Sequence, residues 1–244
     1  MAPKSIKGLN IKLFADGADL KGMLEMYPLE HIKGFTTNPT LMRKAGIQDY
    51  KEFALKVIEA IPDRPLSFEV FADDFPTMQA QAHEIARWSK NVNVKIPITN
   101  TKGESSAPLV RTLSKAGIVC NVTAMFTLEQ TREICDALDP QTPAILSIFA
   151  GRIADSGVDP VPLMREAVNI AKSRPKAEVL WASPRELLNI VQADECGCHI
   201  ITATNDILKK LNGLGKDLTD FSRETVLMFY KDAQAAAYSI SLSA

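Results

Sequence analysis

Short apolar runs alternate with amphipathic segments along almost the whole chain. The apolar runs are rich in β-branched residues, which is typical of buried strands, and the segments between them repeat apolar residues at helical spacing. The predicted strands cover residues 11–16, 32–37, 66–71, 91–99, 119–125, 144–149, 178–182 and 199–204. The predicted helices cover residues 19–27, 41–44 with 49–61, 76–90, 108–116, 127–138, 160–173, 184–193 and 205–211. This alternation predicts a parallel sheet with right-handed crossovers.

Eight strand–helix units favour a closed barrel over an open doubly wound sheet. The 244 residues of the chain are close to the roughly 250 that are typical of one such barrel. Residues 15–19, after the first predicted strand, read Ala-Asp-Gly-Ala-Asp, which lacks the glycine-rich dinucleotide motif and disfavours a Rossmann fold. We therefore predict an α/β fold: a single (β/α)8 TIM-barrel domain over residues 1–244, with a C-terminal helical extension over residues 216–244.

The C-terminal extension is predicted to be a helix over residues 220–240. Its apolar and small residues form one stripe, which contains Val226, Phe229, Tyr230, Ala233, Ala236 and Ala237. Such a stripe fits either packing on the flank of the barrel or a contact between subunits.

Charge and hydropathy favour a cytoplasmic protein. The formal net charge of −1 gives no electrostatic reason to expect nucleic acid or an anionic membrane as a partner. The first residues lack the apolar run of a secretory peptide, and no apolar stretch of about 18 residues is present to span a membrane. We expect no membrane or nucleic-acid partner.

The four cysteines show no repeating spacing, which favours reduced thiols over disulfides. Cys196, Cys198 and His199 form one short cluster with no second half, so this pattern is a weak indication of a metal. We predict no metal site.

A lysine stands in the middle of the fourth predicted strand. Val92, Val94, Ile96 and Ile98 occupy one face of that strand and Lys95 the other, while Pro97 ends the strand because proline cannot donate a ladder hydrogen bond. One interpretation is an edge-strand lysine whose ammonium reaches water. The other is a desolvated amine that acts as a nucleophile and forms a Schiff base with a carbonyl substrate.

Polar side chains stand at the carboxyl ends of the predicted strands, which form the mouth of the active site in an α/β barrel. They are Asp16, Thr37, Asn38, Glu69, Lys95, Asn121, Thr123, Ser147, Ser183, Thr202 and Thr204. Taken singly, Asp16 fits a helix cap and Asn38 a turn before proline. Glu69 lies among apolar residues, and a buried carboxylate requires a partner. Together these groups predict an acid–base and hydrogen-bonding set for a polyhydroxylated carbonyl substrate.

Several stretches resemble the transaldolase family, in particular its small single-domain members, which include fructose-6-phosphate aldolases. They are residues 13–16 (Leu-Phe-Ala-Asp), 34–40 (Gly-Phe-Thr-Thr-Asn-Pro-Thr), 93–99 (Asn-Val-Lys-Ile-Pro-Ile-Thr), 117–123 (Gly-Ile-Val-Cys-Asn-Val-Thr), 149–153 (Phe-Ala-Gly-Arg-Ile) and 228–230 (Met-Phe-Tyr). The resemblance covers nearly the whole chain in the right order.

The resemblance implies a mechanism on these residues. Lys95 would form a Schiff base with the ketose carbonyl at C2, and Asp16 would take the proton from the C4 hydroxyl during cleavage. Glu69 would transfer protons through a water molecule held with Thr123. Further residues are implied in substrate binding: Thr37, Asn38, Asn121, Ser147, Phe149, Arg152, Ser183 and Arg185. No cofactor is expected.

Two positions indicate which reaction of the family this chain performs. The resemblance implies glutamate and phenylalanine in transaldolases and glutamine and tyrosine in the aldolases, and this chain has Glu69 and Phe149. We therefore predict transfer of a dihydroxyacetone unit between sugar phosphates, as in the pentose phosphate pathway. The alternatives are a dihydroxyacetone-releasing fructose-6-phosphate aldolase and a non-catalytic sugar-phosphate-binding barrel. The resemblance also implies a homo-oligomer, a pentamer or a decamer.

The chain departs from the family pattern after the seventh predicted strand. Ser183 runs directly into Pro184, Arg185 and Glu186, so that the loop is shorter than the family usually has before its phosphate-binding basic residue. Arg152 remains as a predicted anion ligand, and Arg185 is a second candidate. A sulfonated sugar or an unusual biosynthetic acceptor is therefore an alternative to the usual phosphorylated substrates.

Overall fold

In the computed structural model, which describes residues 5–241, parallel strands close into a barrel. The strands are β1 (Lys12–Asp16), β2 (Ile32–Thr36), β3 (Leu66–Glu69), β4 (Val92–Pro97), β5 (Cys120–Met125), β6 (Ala144–Ile148), β7 (Ala177–Trp181) and β8 (Ile200–Ala203). Each strand pairs in parallel with the next in chain order, and β8 pairs with β1. The predicted (β/α)8 barrel is confirmed.

Helices surround the barrel. They are α1 (Leu20–Met26), α2 (Pro39–Lys44), α3 (Tyr50–Ala60), α4 (Phe75–Ala86), α5 (Ala107–Lys115), α6 (Leu128–Ala137), α7 (Ala150–Asp155), α8 (Pro160–Ala171), α9 (Leu188–Glu195), α10 (Asn205–Lys209) and α11 (Leu218–Ala235). Short 3-10 helices cover Ile6–Gly8 and Lys210–Gly213. Many of these helices begin at a side chain that accepts backbone N–H bonds; at α6 the predicted capping box of Thr127 and Gln130 is confirmed.

β4 shows how the alternation of residue types builds the site. Val92, Val94 and Ile96 are buried in the apolar layer between the barrel and its helices. Lys95 therefore points to the other face, the barrel interior. The strand ends at Pro97, as predicted.

An apolar plug fills the barrel interior below the polar strand ends. Phe14, Ile145, Leu180 and Ile200 form a cluster of their own, separate from the layer under the helices. Gly34 on the neighbouring strand makes room for the plug, since a β-carbon there would lie 2.5 Å from the ring of Phe14. The plug thus separates the polar groups at the carboxyl ends of the strands from those at the opposite end, where Lys12 pairs with Glu178 (2.7 Å).

The loop after β7 differs from the prediction. α9 begins at Leu188 rather than at residue 184. The side-chain oxygen of Asn189 accepts hydrogen bonds from the backbone N–H groups of Arg185 (2.7 Å) and Glu186 (3.2 Å). These bonds hold the segment as a turn, because asparagine competes with helical hydrogen bonding. The short helix α7 was not predicted, since so few residues show no clear period.

α11 is present, but it buries none of its residues. Val226, Phe229 and Tyr230 are 65%, 62% and 61% exposed. Packing of this stripe on the barrel flank, one of the two interpretations, is therefore wrong for the isolated chain. A contact between subunits stays a prediction. Among the helices formed by residues 5–241, none is long and apolar enough to cross a bilayer.

All four cysteines are free and buried. Burial raises the pKa of the Cys120 thiol to about 12 and also raises the pKa of Cys198, so both thiols stay protonated. Within the described part of the chain, no cluster of histidine, cysteine or carboxylate side chains is suited to hold a metal ion.

Candidate active site

A cavity of about 450 Å³ lies at the carboxyl ends of the strands. It is lined by the predicted residues Asp16, Asn38, Glu69, Lys95, Asn121, Thr123, Ser147, Phe149, Arg152, Ser183 and Thr202. It is also lined by Thr36, Pro39, Thr40, Leu41, Ala124, Phe126 and Ala182. The predicted residues Thr37, Arg185 and Thr204 do not line it. The sheet thus brings side chains that are far apart in the sequence around one space.

Lys95 projects into this cavity from β4. Its side chain is only 8% exposed, and its Nζ lies 3.1 Å from Oε2 of Glu69 on β3. Nζ also donates a hydrogen bond of 2.7 Å to the carbonyl oxygen of Thr37. Because β4 is paired on both sides and the amine is enclosed, the edge-strand interpretation of Lys95 is wrong.

Asp16 ends β1 and presents its carboxylate to the same cavity. The hydroxyl of Thr36 donates to Oδ1 (2.7 Å), and the amide of Asn38 lies 3.4 Å from Oδ2. Burial raises the pKa of the Asp16 carboxyl above its usual value, and the positive charge of Lys95 and these two hydrogen bonds oppose that effect without cancelling it. Asp16 is therefore a carboxylate that accepts a proton more readily than an exposed aspartate.

Asp16 and Asn38 differ in whether they cap a helix. α1 is capped by Asp19, whose carboxylate accepts from the N–H of Gly22 at 2.9 Å, so Asp16 is not that cap. Asn38 does cap α2, because its Oδ1 accepts from the N–H of Leu41 at 2.9 Å. Its amide nitrogen remains directed toward Asp16. One residue thus begins a helix and orients a carboxylate.

A buried chain of hydrogen bonds crosses the cavity wall opposite Asp16. Ser147 on β6 donates to Oδ1 of Asn121 on β5 (2.6 Å), and Nδ2 of Asn121 donates to Oγ of Ser67 on β3 (3.2 Å). These bonds fix which end of the Asn121 amide faces each neighbour. Thr123, next along β5 on the same face, is 3% exposed and lines the cavity.

Two non-glycine residues at the rim have left-handed backbone conformations. Ala124 (φ 60°) lies at an irregularity in the pairing of β5 with β6, and Ser183 (φ 58°) follows β7. Such conformations are uncommon outside glycine and persist only where the surrounding structure enforces them. Gly151 accounts for one of them, since a β-carbon there would lie 1.5 Å from the carbonyl oxygen of Ser183. α7 and the loop after β7 therefore pack backbone to backbone.

The outer part of the cavity is aromatic and carries one guanidinium. The rings of Phe126 and Phe149 lie 5.9 Å apart, and the guanidinium carbon of Arg152 lies 5.7 Å from the centre of the Phe149 ring. Arg185 is directed elsewhere: its Nε donates to Oδ1 of Asp155 (2.9 Å), and its Nη2 pairs with Oδ2 of the same carboxylate. Of the two predicted anion ligands, the structure brings only Arg152 to the cavity.

Three contacts of the site were not predicted from the sequence. On β2 it is Thr36, not Thr37, that faces the cavity; the Thr37 hydroxyl donates to the carbonyl of Ser67 (2.9 Å), and only its own carbonyl meets Lys95. Alternation along β2 gives the direction of Thr36, because residues two apart in a strand face the same side. Gly34 faces the ring of Phe14 in the barrel interior, so Thr36 faces the interior as well. Ser67 shares its phase with Glu69. Tyr50, which contacts the backbone of Glu69, gave no such signal because it comes from α3.

Comparison with known proteins gives the family. A family model described as Transaldolase/Fructose-6-phosphate aldolase matches residues 13–240. A probable transaldolase of Dehalococcoides mccartyi is 33% identical over 92% of this chain and 100% of its own length. A probable transaldolase of Clostridium acetobutylicum is 35% identical over 91% of this chain and 99% of its own length.

A solved structure supports the fold alone. The 3-hexulose-6-phosphate synthase of Salmonella typhimurium superposes with a TM-score of 0.55 at 12% identity, covering 82% of this chain and 91% of that one. The match of the family model over most of the sequence, together with relatives aligned along nearly their full length, shows that this chain belongs to the transaldolase/fructose-6-phosphate aldolase family.

Proposed function

We propose that this protein is a Schiff-base transaldolase. It would transfer a dihydroxyacetone unit from a ketose phosphate, such as fructose 6-phosphate or sedoheptulose 7-phosphate, to an aldose phosphate. The observation that carries the proposal is the enclosed amine of Lys95, 3.1 Å from the Glu69 carboxylate in a cavity that also holds Asp16. Membership of the family supports the same chemistry.

The first step is imine formation. Glu69 takes a proton from the Lys95 ammonium, which it contacts at 3.1 Å, and the resulting amine attacks C2 of the ketose. The proton held by Glu69 and the one that the attacking nitrogen then loses both pass to the C2 oxygen, which departs as water and leaves an iminium. Thr123 lines the same wall and would hold the water molecule that carries these protons. The hydrogen bond from Nζ to the Thr37 carbonyl directs the amine before attack.

The second step is cleavage of the C3–C4 bond. Asp16 takes the proton of the C4 hydroxyl, the bond electrons pass to the iminium to give an enamine, and the aldehyde fragment leaves. When an acceptor aldehyde enters, the enamine carbon attacks it and Asp16 returns the proton. Thr36 and Asn38 hold the Asp16 carboxylate in place for both directions.

The buried amide and hydroxyls would hold the three-carbon unit while it is attached to Lys95. Asn121 and Ser147 orient each other across β5 and β6, and both line the cavity. Asn38 lines it from the opposite side. A preoriented set of this kind reduces the entropy lost when a flexible polyol binds.

The outer cavity supports transfer rather than release. Phe149 carries no hydroxyl that can protonate the enamine, and its ring packs against Phe126 at the mouth. An enamine that is not protonated by the protein waits for an acceptor aldehyde. Arg152 would bind the terminal anion of donor and acceptor; because Arg185 is paired with Asp155, a terminal group of lower charge, such as a sulfonate, is the alternative to phosphate.

Borohydride trapping tests the proposal. The enzyme is incubated with fructose 6-phosphate, reduced and analysed by mass spectrometry, with and without erythrose 4-phosphate. Wild type should gain one dihydroxyacetone unit on Lys95, and the acceptor should remove it. Lys95→Met should gain nothing, whereas Lys90→Met, which changes an exposed lysine, should behave as wild type.

The other outcomes point to other functions. Free dihydroxyacetone released without an acceptor would indicate the aldolase. Absence of an adduct with phosphorylated, sulfonated and unphosphorylated ketoses alike would contradict the Schiff-base mechanism and favour a binding protein. An adduct with a sulfonated or unphosphorylated ketose alone would keep the mechanism and change the substrate.

A further inference from the structure

The backbone of Glu69, the last residue of β3, points away from β4. The N–H of Val70 donates to the carbonyl of Lys95 on β4 (3.2 Å), whereas the carbonyl of Ser67 accepts from the N–H of Thr37 on the β2 side (3.2 Å). Successive residues of a strand direct their backbone groups to opposite sides, so the N–H and C=O of Glu69 face the β2 side. There the chain leaves the sheet for α2 before it reaches Glu69.

The hydroxyl of Tyr50 occupies the place of the missing strand residue. It accepts a hydrogen bond from the N–H of Glu69 (2.7 Å) and donates one to the carbonyl oxygen of the same residue (2.9 Å). A single side-chain hydroxyl thus satisfies both backbone groups of Glu69. Buried backbone groups need such partners, and an unpaired one is costly.

The tyrosine itself is held firmly. Its ring lies 4.5 Å from that of Phe71, 5.7 Å from that of Trp88 and 6.2 Å from that of Phe68. Burial raises the pKa of the Tyr50 hydroxyl well above its usual value, which keeps the proton that it donates to the Glu69 carbonyl. A cluster of aromatic rings therefore places the hydroxyl against the end of β3.

We propose that Tyr50 is a positioning residue that sets the distance between the Glu69 carboxylate and the Lys95 amine by clamping the backbone of Glu69. On the β4 side, the bond from the Val70 N–H to the Lys95 carbonyl holds the end of the strand. On the β2 side the Tyr50 hydroxyl is the partner of the Glu69 N–H and C=O, so its loss would let the strand end shift and carry the side chain with it. The inference rests on the proposed function for its kinetic consequence, but the distance itself can be measured independently of any reaction.

The structural test uses Tyr50→Phe, which keeps the ring and removes only the hydroxyl. In a crystal structure of this variant, Oε2 of Glu69 should lie beyond hydrogen-bonding distance of Lys95 Nζ, at more than about 3.5 Å. A separation that stays at the 3.1 Å of the unmodified protein would overturn the inference whatever the activity.

The kinetic test measures the rate of adduct trapping with fructose 6-phosphate. Tyr50→Phe should slow trapping and kcat by about tenfold, because proton transfer by Glu69 depends on its placement, and should leave KM within about twofold. In a Glu69→Gln background the same substitution should change the rate by less than about twofold. An equal loss in both backgrounds would show that Tyr50 acts on the fold alone and would overturn the inference.

Two further proteins separate position from stability. Tyr27→Phe removes another tyrosine hydroxyl, one that donates to Asp63 at 2.7 Å outside the cavity, and should leave the trapping rate unchanged.

Replacement of Tyr50 by 4-aminophenylalanine keeps a donor for the Glu69 carbonyl and should restore at least part of the rate. This variant also provides the test if the phenylalanine variant does not fold. If both variants fold and 4-aminophenylalanine restores none of the trapping rate, the positioning role of the Tyr50 hydroxyl would be contradicted. Absence of any adduct in wild type would overturn the proposed function instead, and the measured distance would still decide the role of Tyr50.

Discussion

The hydroxyl of Thr36 donates a hydrogen bond of 2.7 Å to Oδ1 of Asp16, across the pairing of β2 with β1. Thr36 also lies 2.6 Å from the hydroxyl of Thr202 on β8, so a hydrogen-bonded chain spans three neighbouring strands at the mouth of the barrel. These hydrogen bonds hold the half-buried carboxylate at the cavity wall. Burial raises its pKa, and this determines how the protein should respond to pH.

The first prediction concerns the acid limb of activity. Because burial raises the pKa of Asp16 above its usual value of 3.8, the base required for cleavage should be lost at a higher pH than an exposed aspartate would allow. In a pH profile, kcat/KM should decrease as the pH drops through an apparent pKa that lies above 3.8. Asp16→Asn should lower kcat by about 10²- to 10⁴-fold, the range of general acid–base catalysis.

Acidification, which should lower activity by protonating Asp16, should increase the contribution of this carboxyl to stability. A carboxyl whose pKa is raised in the folded protein contributes stability at low pH, and that contribution is lost as the pH rises through the raised pKa. Asp16→Asn should therefore melt at or above the wild-type temperature at neutral pH, and this advantage should shrink as the solution is acidified. A variant that is less stable than wild type at neutral pH alone would contradict this sign.

The second prediction compares two arginines. Arg152 lines the cavity beside Phe149, whereas Arg185 is exposed and paired with Asp155. Loss of a hydrogen bond to a charged group is worth roughly 1.5–3 kcal/mol, so Arg152→Ala should raise KM for fructose 6-phosphate by about 10- to 100-fold. Arg185→Ala should leave KM unchanged. If both substitutions raised KM equally, Arg185 would have to reach the substrate in the occupied enzyme.

The third prediction concerns the buried amide of Asn121. Ser147→Ala removes the donor to its Oδ1 and leaves a buried acceptor without a partner, which should destabilise the protein by about 1–3 kcal/mol in urea unfolding. KM for the donor should rise as well, since the amide loses its fixed orientation. Ser156→Ala is the matched control. Ser156 is exposed, and its hydroxyl donates to the carbonyl of Ile153 (2.7 Å), so its loss should change the free energy of unfolding only slightly.

Sequence patterns predicted the site best where strand alternation alone decides the direction of a side chain. Lys95 and Glu69 are paired directly across β4 and β3, and both were predicted to stand at strand ends. Thr36 and Thr37 were harder, because adjacent threonines at the end of a strand give the same composition whichever of them faces inward. The structure separates them through the phase of Gly34 on the same strand.

Sequence periodicity does not reveal the contacts made by loops and helices. Arg185 follows β7 as a ligand of the cavity would, yet its guanidinium turns to Asp155 because Asn189 holds the intervening backbone as a turn. Tyr50 reaches Glu69 from α3, the helix that precedes β3 in the chain. Such contacts depend on how helices pack on the barrel, and no period in the chain encodes that packing.

The last prediction tests the close approach of α7 to the loop after β7. A β-carbon on Gly151 would lie 1.5 Å from the carbonyl oxygen of Ser183, so Gly151→Ala must displace one of the two backbones. Overpacking of this kind typically costs about 1–3 kcal/mol, and because Ser183 and Arg152 both line the cavity, KM should rise together with the loss of stability. Gly213→Ala is the matched control, since nothing lies within 4 Å of the β-carbon it would add. If the free energy of unfolding in urea and the KM of Gly151→Ala matched those of the control, the loop after β7 could move aside at no energetic cost. In that case α7 would not be what holds Ser183 in its left-handed backbone conformation.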